Sequence, residues 1–372
     1  MELQKKCLKY FNFGTSFQKW INLFYTDIKS CITNNGWASE SFNITRGVRQ
    51  GCPISPYIFI LCVEILGIYI RSDENINGID IETQQFKLSQ YADDTSFTLL
   101  ASNNNLNRLF SILTEFEKVS GLKVNQTKTS VLRLGSLRNT DITFSDHLNL
   151  FWTNQEVTLL GIKISANRDQ IESINYLPKI LKIENILNCW DKRNLSLIGK
   201  TLIIKSLALS QLLFLISVLQ NPPHELIKKV EKLIFGYLWN NKPDKIKRTY
   251  MIAPTRQGGL GVTHLISQFV AIKCAWVKRL LSDTNAKWKY LVYAQLPIKE
   301  RYLWECNFHV NDIKDIFPKL RNKFWRDVVM SWSKYNYHSP QTCIEIQNQS
   351  IWFNSHIKIG NKVIFYRKWY EK

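Results

Sequence analysis

Two adjacent carboxylates, Asp93 and Asp94, are the side chains of this sequence with the clearest capacity for chemistry. They lie within residues 90–95, Gln-Tyr-Ala-Asp-Asp-Thr, between two short runs, 86–92 and 95–100, that alternate roughly in period 2. Alternation with β-branched and aromatic residues is typical of strands, and Asp tolerates the positive φ of a two-residue turn. We therefore expect a β-hairpin with both carboxylates at its tip.

Paired carboxylates at a rigid turn favour a metal site. Like charges this close together repel and raise each other's pKa unless a cation lies between them. Two oxygen-rich side chains are what a hard divalent ion such as Mg²⁺ prefers. The alternative is a solvated Asp-Asp turn without chemistry, and the rest of the sequence decides between the two.

Positive charge is concentrated in the second part of the chain. The 372 residues suffice for two or three domains, and a hydrophobic content of 45% allows a real core. Residues 1–150 carry 15 Lys and Arg against 14 Asp and Glu, whereas residues 151–372 carry 34 against 16. The 12 Trp are interleaved with the basic residues, as base stacking and phosphate contact would require. This pattern predicts a metal-dependent site next to a surface that holds nucleic acid.

Periodicity and turn residues predict the elements that must position the carboxylates. A glycine- and proline-containing loop, 46–56, leads into an apolar helix at about 57–71. The other predicted elements are a helix over 3–31 broken at Gly14, two strands around a turn at 34–36 with the second through 41–44, a helix at about 104–120, strands at 130–134 and 157–164, a basic helical region from about 175, and a helix at 225–239.

Several classes of protein are disfavoured by the composition. The eight cysteines include no Cys-x-x-Cys pair, so a disulfide framework or zinc ribbon is not expected, and a reducing compartment is the default. No signal peptide opens the chain, and the most apolar stretch, 207–219, is too short to span a bilayer. We expect an intracellular protein of the cytoplasm and nucleus, with no membrane partner.

Four segments together resemble successive motifs of the reverse transcriptases in order and spacing. They are the loop 46–56, the Tyr-Ala-Asp-Asp box at 91–94, Gly-Leu-Lys-Val-Asn-Gln-Thr-Lys-Thr at 121–129 and Leu-Leu-Gly-Ile at 159–162. The chain is most similar to the non-LTR (LINE-type) retrotransposon enzymes, and residues 190–200 resemble the thumb of that family. A maturase of group II introns shares the Tyr-Ala-Asp-Asp box and stays open as an alternative, although the segments 195–200 and 258–261 favour the retrotransposon reading.

The resemblance implies an α+β fold. It places a partial right-hand polymerase palm, with an antiparallel sheet and the Tyr-Ala-Asp-Asp hairpin, at about residues 1–165. A helical thumb would follow at 166–245, and a mainly helical, basic C-terminal region at 246–372.

The resemblance also implies the reaction, RNA-templated DNA synthesis, with RNA template, DNA primer and dNTP as partners and no indicated protein partner. Asp93 and Asp94 match the metal-ligating, catalytic carboxylates, and two Mg²⁺ held there would activate the primer 3′-hydroxyl and stabilise the leaving pyrophosphate. The positions matching substrate-binding residues are Gln50 and Gly51 at the nascent base pair and incoming nucleotide, Arg46 and Arg49 as donors to phosphate there, and Tyr91 and Ala92 before the carboxylates. Lys128 matches a basic position that contacts the triphosphate or protonates pyrophosphate, and Leu160 and Gly161 match the primer grip, where a tight turn supports the primer backbone.

One departure from the family pattern concerns a third carboxylate, which the family carries on a strand upstream of the 46–56 loop. The upstream candidate here is Asp27, which we interpret as a structural residue on a helical stretch. We therefore expect a partial copy of a retrotransposon reading frame that lacks the fingers and the first catalytic-Asp motif and has impaired activity. A non-catalytic primer–template-binding or RNA-binding remnant is the alternative.

Overall fold

A computed structural model describes residues 2–44, 47–81, 83–296 and 301–364 of the protein. The chain divides into two compact units, Met1–Gly161 and Ile162–Lys372, which mix helices with small sheets, as expected of an α+β fold. The elements of the first unit are α1 (Glu2–Tyr10), α2 (Thr15–Phe24), β1 (Lys29–Ser30), β2 (Thr33–Asn34), β3 (Trp37–Ala38), β4 (Phe42–Asn43), α3 (Ser55–Ser72), β5 (Ile79–Ile81), β6 (Gln84–Phe86), β7 (Leu88–Tyr91), β8 (Asp94–Phe97), α4 (Asn103–Ser120), β9 (Ser130–Leu132), β10 (Phe151–Thr153) and β11 (Glu156–Leu159).

The described strands of the first unit up to β10 associate in pairs. Strand β1 pairs with β4, β2 with β3, β5 with β6, and β7 with β8, all antiparallel. Strands β9 and β10 pair in parallel, a connection that sequence patterning did not indicate. A continuous antiparallel palm sheet therefore stays a prediction.

Helix α3 is central to the packing of the first unit. Its N-terminal half buries Ile58 and Cys62 against α1 and α2, and its C-terminal half buries Leu66 and Ile70 in a second cluster with α4 and the hairpin strands. The helix is long and apolar enough to cross a bilayer by length and composition alone, but a buried core helix passes the same test. Helix α3 therefore contributes residues to both hydrophobic clusters of this unit and packs against the elements around it.

The second unit is mainly helical and holds two hydrophobic clusters. One is built from residues between Ile162 and Phe269, the other from residues between Val277 and Val363. The elements are β12 (Ile162–Ser165), α5 (Ile171–Asp191), α6 (Leu197–Ile203) with a π-helical turn at Ile204–Ala208, α7 (Ser210–Val218), α8 (His224–Leu238), α9 (Arg248–Ile252), α10 (Leu265–Leu280), α11 (Trp288–Tyr293), α12 (Ile313–Ile316), α13 (Lys323–Asn336), α14 (Cys343–Gln347), β13 (Lys358–Ile359) and β14 (Lys362–Val363).

Four buried lysines share one role, which is to donate hydrogen bonds to backbone carbonyls at or just beyond the C-terminal end of a helix. Cations are favoured there because the last carbonyls of a helix lack intrahelical partners. The pairs are Lys87 with Arg71 and Asp73 at the end of α3, Lys200 with Tyr237 in α8, Lys273 with Ile216 and Leu219 at the end of α7, and Lys289 with Ser282 after α10. Lys200, in the region expected to be helical and basic, is thus a buried residue.

Two predicted boundaries at the N-terminus are corrected. The helix expected over 3–31 is two helices that end at Phe24, and β1 occupies part of the remainder. The turn at Asn35 and Gly36 is present, but it joins β2 to β3, whereas the segment 41–44 contributes β4, which pairs with β1. Both residues of the turn have positive φ, 52° and 87°, which Asn and Gly accept more readily than other residues.

Candidate active site at one end of helix α3

The predicted hairpin is present, with the two carboxylates at and beside its turn. Strands β7 and β8 pair from Leu88 opposite Phe97 to Tyr91 opposite Asp94, which leaves Ala92 and Asp93 as the two-residue turn. The positive φ of this turn, 53°, falls on Ala92 and not on an aspartate. Asp93 and Asp94 are both exposed, and the Tyr91 ring is 69% exposed.

Contacts of β7 along α3 define where the hairpin tip lies. The ammonium of Lys87 donates to the carbonyls of Arg71 and Asp73, at 3.2 and 2.7 Å, at the C-terminal end of the helix. Three residues later, Gln90 donates a long 3.5 Å hydrogen bond to the Val63 carbonyl. Strand β7 therefore runs back along α3, and its tip is directed to the N-terminal end of the helix.

The loop 47–54 enters the same end of α3. Gly47 and Gly51 have φ of 82° and 80°, which a residue with a side chain would adopt only with strain. The Gly47 carbonyl accepts a 3.4 Å hydrogen bond from Gln4, and Val48 and Ile54 pack against the first core cluster. These contacts fix the loop and leave the side chains of Arg49 and Gln50 exposed, where a ligand could meet them.

The remaining site residues predicted from the sequence are less closely tied to the hairpin. Lys128 is exposed on a short helical turn capped by Asn125, and no contact within the described part of the chain joins it to the carboxylates. Leu160 and Gly161 follow β11 with φ of 50° and 77°, so the strand expected over 157–164 is interrupted by a turn at these two residues. Their predicted role as primer grip stays a prediction. Arg46 lies outside the described residues, so its predicted role stays a prediction.

The carboxylates fit a magnesium-type donor set. Both are oxygen ligands open to solvent, and no ion pair among the described residues involves either of them. Mg²⁺ is commonly held by one or two carboxylates together with waters and substrate phosphates. Across the described ranges no group of three or more His, Cys, Asp or Glu side chains is arranged to hold a metal, so Asp93 and Asp94 form a pair without a third protein carboxylate.

The upstream aspartate occupies a different environment from the one predicted. Asp27 lies beyond the end of α2, exposed and at φ 52°, and not on a helix. Its interpretation as a structural residue stays a prediction.

Sequence reasoning overlooked the residues that hold the hairpin. Gln90 contacts α3 directly, and Gly67 of that helix provides the space for it. The available signal was a glycine inside an otherwise continuous apolar helical run, which often has a packing reason.

Comparisons with known proteins show what this chain is similar to. Residues 1–164 match the family described as reverse transcriptase (RNA-dependent DNA polymerase). Over 287 residues the chain is 26% identical to the transposon TX1 uncharacterized 149 kDa protein of Xenopus laevis, covering 76% of this chain and 21% of that protein. Over 294 residues it is 24% identical to the retrovirus-related Pol polyprotein from type-2 retrotransposable element R2DM of Drosophila melanogaster, covering 74% and 26%.

A third relative is shorter. An uncharacterized mitochondrial protein of Arabidopsis thaliana, AtMg01250, is 44% identical over 67 residues, which are 17% of this chain and 55% of that protein.

Residues 1–164 are therefore a reverse-transcriptase region, of a class whose polymerases depend on divalent metal and bind a nucleic-acid template and primer. This match and the two transposon relatives together support a reverse transcriptase of the non-LTR retrotransposon type. It spans about a fifth to a quarter of the length of those relatives.

Proposed function

We propose that this chain extends a DNA primer on an RNA template by nucleotidyl transfer, with Asp93 and Asp94 as the catalytic carboxylates. The observation that carries the proposal is the exposed carboxylate pair at the hairpin tip, directed to the end of α3 that the 47–54 loop enters. A nucleotide between tip and loop would meet oxygen ligands from one side and the Arg49 and Gln50 side chains from the other.

Each group has a separate task in this reaction. Two Mg²⁺ ions, when bound, would lower the pKa of the primer 3′-hydroxyl and neutralise charge on the leaving pyrophosphate. Asp93 and Asp94 hold the charge that retains such ions, and the Arg49 guanidinium offers a bidentate donor to phosphate. The small side chain of Ala92 at the turn leaves room for a primer terminus beside the carboxylates.

Within the described residues the site offers two carboxylates, and metal ions held by these two alone are expected to be retained weakly. Loss of a group that positions charge in a transition state typically costs about 3 kcal/mol or more, a rate decrease of roughly a hundredfold or greater. Slow extension that is more efficient with Mn²⁺ than with Mg²⁺ is the expected behaviour of the isolated chain.

The test is primer extension on poly(rA)/oligo(dT) with each metal, beside Asp93→Asn and the matched surface variant Asp80→Asn. Asp80 is also exposed and follows α3 in the same unit. Extension that disappears in Asp93→Asn and persists in Asp80→Asn supports the proposal. Extension that survives Asp93→Asn, or none in the unchanged chain, contradicts it.

A second candidate function, nucleic-acid binding without chemistry, is favoured by the charge of residues 151–372. Helix α8 has Lys228, Lys229 and Lys232 exposed along its surface, and the ring of Trp190 lies 4.4 Å beneath the Arg193 guanidinium. This function predicts duplex binding that Asp93→Asn together with Asp94→Asn leaves unchanged. Binding of the duplex without extension of the primer would support this second function.

A further inference from the structure

Gln90 on β7 fills a space that exists because residue 67 of α3 is glycine. A Cβ built on Gly67 would lie 2.4 Å from the Oε1 of Gln90 and 2.9 Å from the Nη1 of Arg71, closer than real Cβ contacts. Arg71 also pairs with Glu64, so this ion pair runs along the helix beside the space. We refer to the space above Gly67, bordered by Arg71, as the Gly67 notch.

Gln90 is the last residue of β7 with an inward contact before the tip. Leu88 and Gln90 are partly buried, whereas Ser89 and Tyr91 are exposed, as strand alternation requires. The next three residues, 92–94, are also exposed. The orientation of the carboxylates thus depends on a two-stranded ribbon whose nearest contact with the helix is the Gln90 side chain.

We propose that Gln90 is a positioning residue whose carboxamide, seated in the Gly67 notch, determines how Asp93 and Asp94 are presented beside the 47–54 loop. Leu88 and Phe97 pack at the base of the hairpin, so without the Gln90 contact the part of the ribbon beyond them would sample several tilts against α3, as expected of a two-stranded hairpin that is marginally stable in water. Carboxylates that must hold a metal ion lose efficiency when displaced by about an ångström. The inference rests on the proposed function only for the task of the carboxylates; the anchoring itself is structural.

The anchoring is tested by hydrogen–deuterium exchange of the full chain, read on peptides covering residues 88–97. Gln90→Ala removes the carboxamide from the notch, and Gly67→Ala places a methyl group where the ends of the Gln90 and Arg71 side chains lie, so that both must shift. Each variant is therefore expected to raise exchange of the hairpin amides. In the double variant the new methyl group meets only the Arg71 guanidinium, and exchange is expected to be lower than in Gly67→Ala alone.

Two control variants separate this effect from the general effect of the substitutions. Ser89→Ala changes the exposed face of the same strand, and Gly199→Ala adds a methyl group to another helix, where the nearest atom would lie at an ordinary 3.5 Å. Neither is expected to alter hairpin exchange. Unchanged exchange in both single variants, or strictly additive effects in the double variant, would overturn the inference.

Primer extension then separates positioning from simple stabilisation. Gln90→Ala is expected to lower kcat at least about tenfold, roughly 1.4 kcal/mol, with KM for dTTP within about twofold, and to raise the Mg²⁺ concentration needed for half-maximal rate. Gln90→Glu, which keeps the side-chain length and lies near Arg71, is expected to retain most of the activity. A kcat unchanged in folded Gln90→Ala overturns the inference while the proposed function stands.

A failure of the proposed function can be distinguished from a failure of this inference. If the unchanged chain does not extend a primer at all, the proposed function fails, and the exchange experiment alone decides whether Gln90 anchors the hairpin.

Discussion

The ammonium of Lys273, on α10, donates a 2.7 Å hydrogen bond to the carbonyl oxygen of Ile216 in the last turn of α7. The lysine is fully buried and also donates to the Leu219 carbonyl, and its Nζ lies 4.1 Å from the centre of the Phe324 ring. A buried cation is tolerated only where donors and acceptors satisfy it. The end of α7 is therefore joined to α10 by hydrogen bonds from a buried amine inside the core of the second unit.

Replacing Lys273 by methionine is expected to lower the free energy of unfolding of the second unit by about 1–3 kcal/mol. The methionine fills much of the volume, but the two helix-terminal carbonyls lose their buried donor. The measurement is urea denaturation of the full chain followed by tryptophan fluorescence.

Lys278→Met on the same helix is the control, because Lys278 is exposed and its change should stay within about 0.5 kcal/mol. Equal effects of the two substitutions would contradict a structural role for the buried ammonium.

The same lysine predicts a pH dependence of stability. Burial lowers the pKa of the Lys273 ammonium to about 7 from its ordinary value near 10.5, while the charge of Asp327 acts in the opposite direction. Between these values the unfolded chain keeps a proton that the folded chain releases. The stability of the second unit should therefore rise with pH above 7, by up to about 1.4 kcal/mol per unit.

This contribution is read as the difference between the unchanged chain and Lys273→Met in denaturation series from pH 6 to pH 9.5. Parallel curves for the two proteins would show that Lys273 keeps its proton throughout.

The buried amide of Asn105 supports a different stability prediction. Its side chain accepts from the Asn77 backbone N–H and donates to the carbonyls of Asn77 and Leu100, all between 2.7 and 3.1 Å. Asn105→Ala leaves the Asn77 backbone N–H and the Leu100 carbonyl without these partners near the base of the hairpin, whereas the Asn77 carbonyl still accepts from the Leu100 N–H. The change should cost about 2–4 kcal/mol in the first unit. Asn104→Ala, at the exposed neighbouring position, should have little effect because alanine is also the better helix former. A similar loss for both would contradict a structural role for the buried amide.

Salt dependence tests the nucleic-acid surface on α8. Changing Lys228, Lys229 and Lys232 to Gln should reduce the slope of log K against log salt by about two to three for duplex binding, if each lysine neutralises one phosphate. The matched control is the same change at Lys5, Lys6 and Lys9, which are exposed on α1 of the nearly neutral part of the chain. Filter binding at several KCl concentrations distinguishes the variants, and identical slopes would place the contact surface elsewhere.

Local signals in the sequence were sufficient to predict the hairpin and the position of its two carboxylates. Alternation on both sides of a two-residue turn fixes the pairing of Tyr91 with Asp94, because the register follows from the turn itself. The end of α4 at Gly121 was predictable for a similar reason, since its φ of 73° suits glycine as a helix cap.

Features that depend on distant segments were not predictable in the same way. The contact of Gln90 with α3 joins residues 23 or more positions apart, and the parallel pairing of β9 with β10 spans about 20. Likewise, nothing in its neighbourhood distinguishes Lys200 from an exposed lysine; its burial follows from the position of Tyr237. Such relationships arise from tertiary packing, on which local periodicity carries little information.

The reactivity of the four buried lysines towards amine-modifying reagents depends on whether the chain around them is folded. An acylating reagent applied to the native protein should modify exposed lysines rapidly and spare Lys87, Lys200, Lys273 and Lys289, whose ammonium groups are enclosed and engaged with carbonyls. Since these four lie in different parts of the two units, the order in which they become reactive as denaturant is added would show which part of the chain opens first.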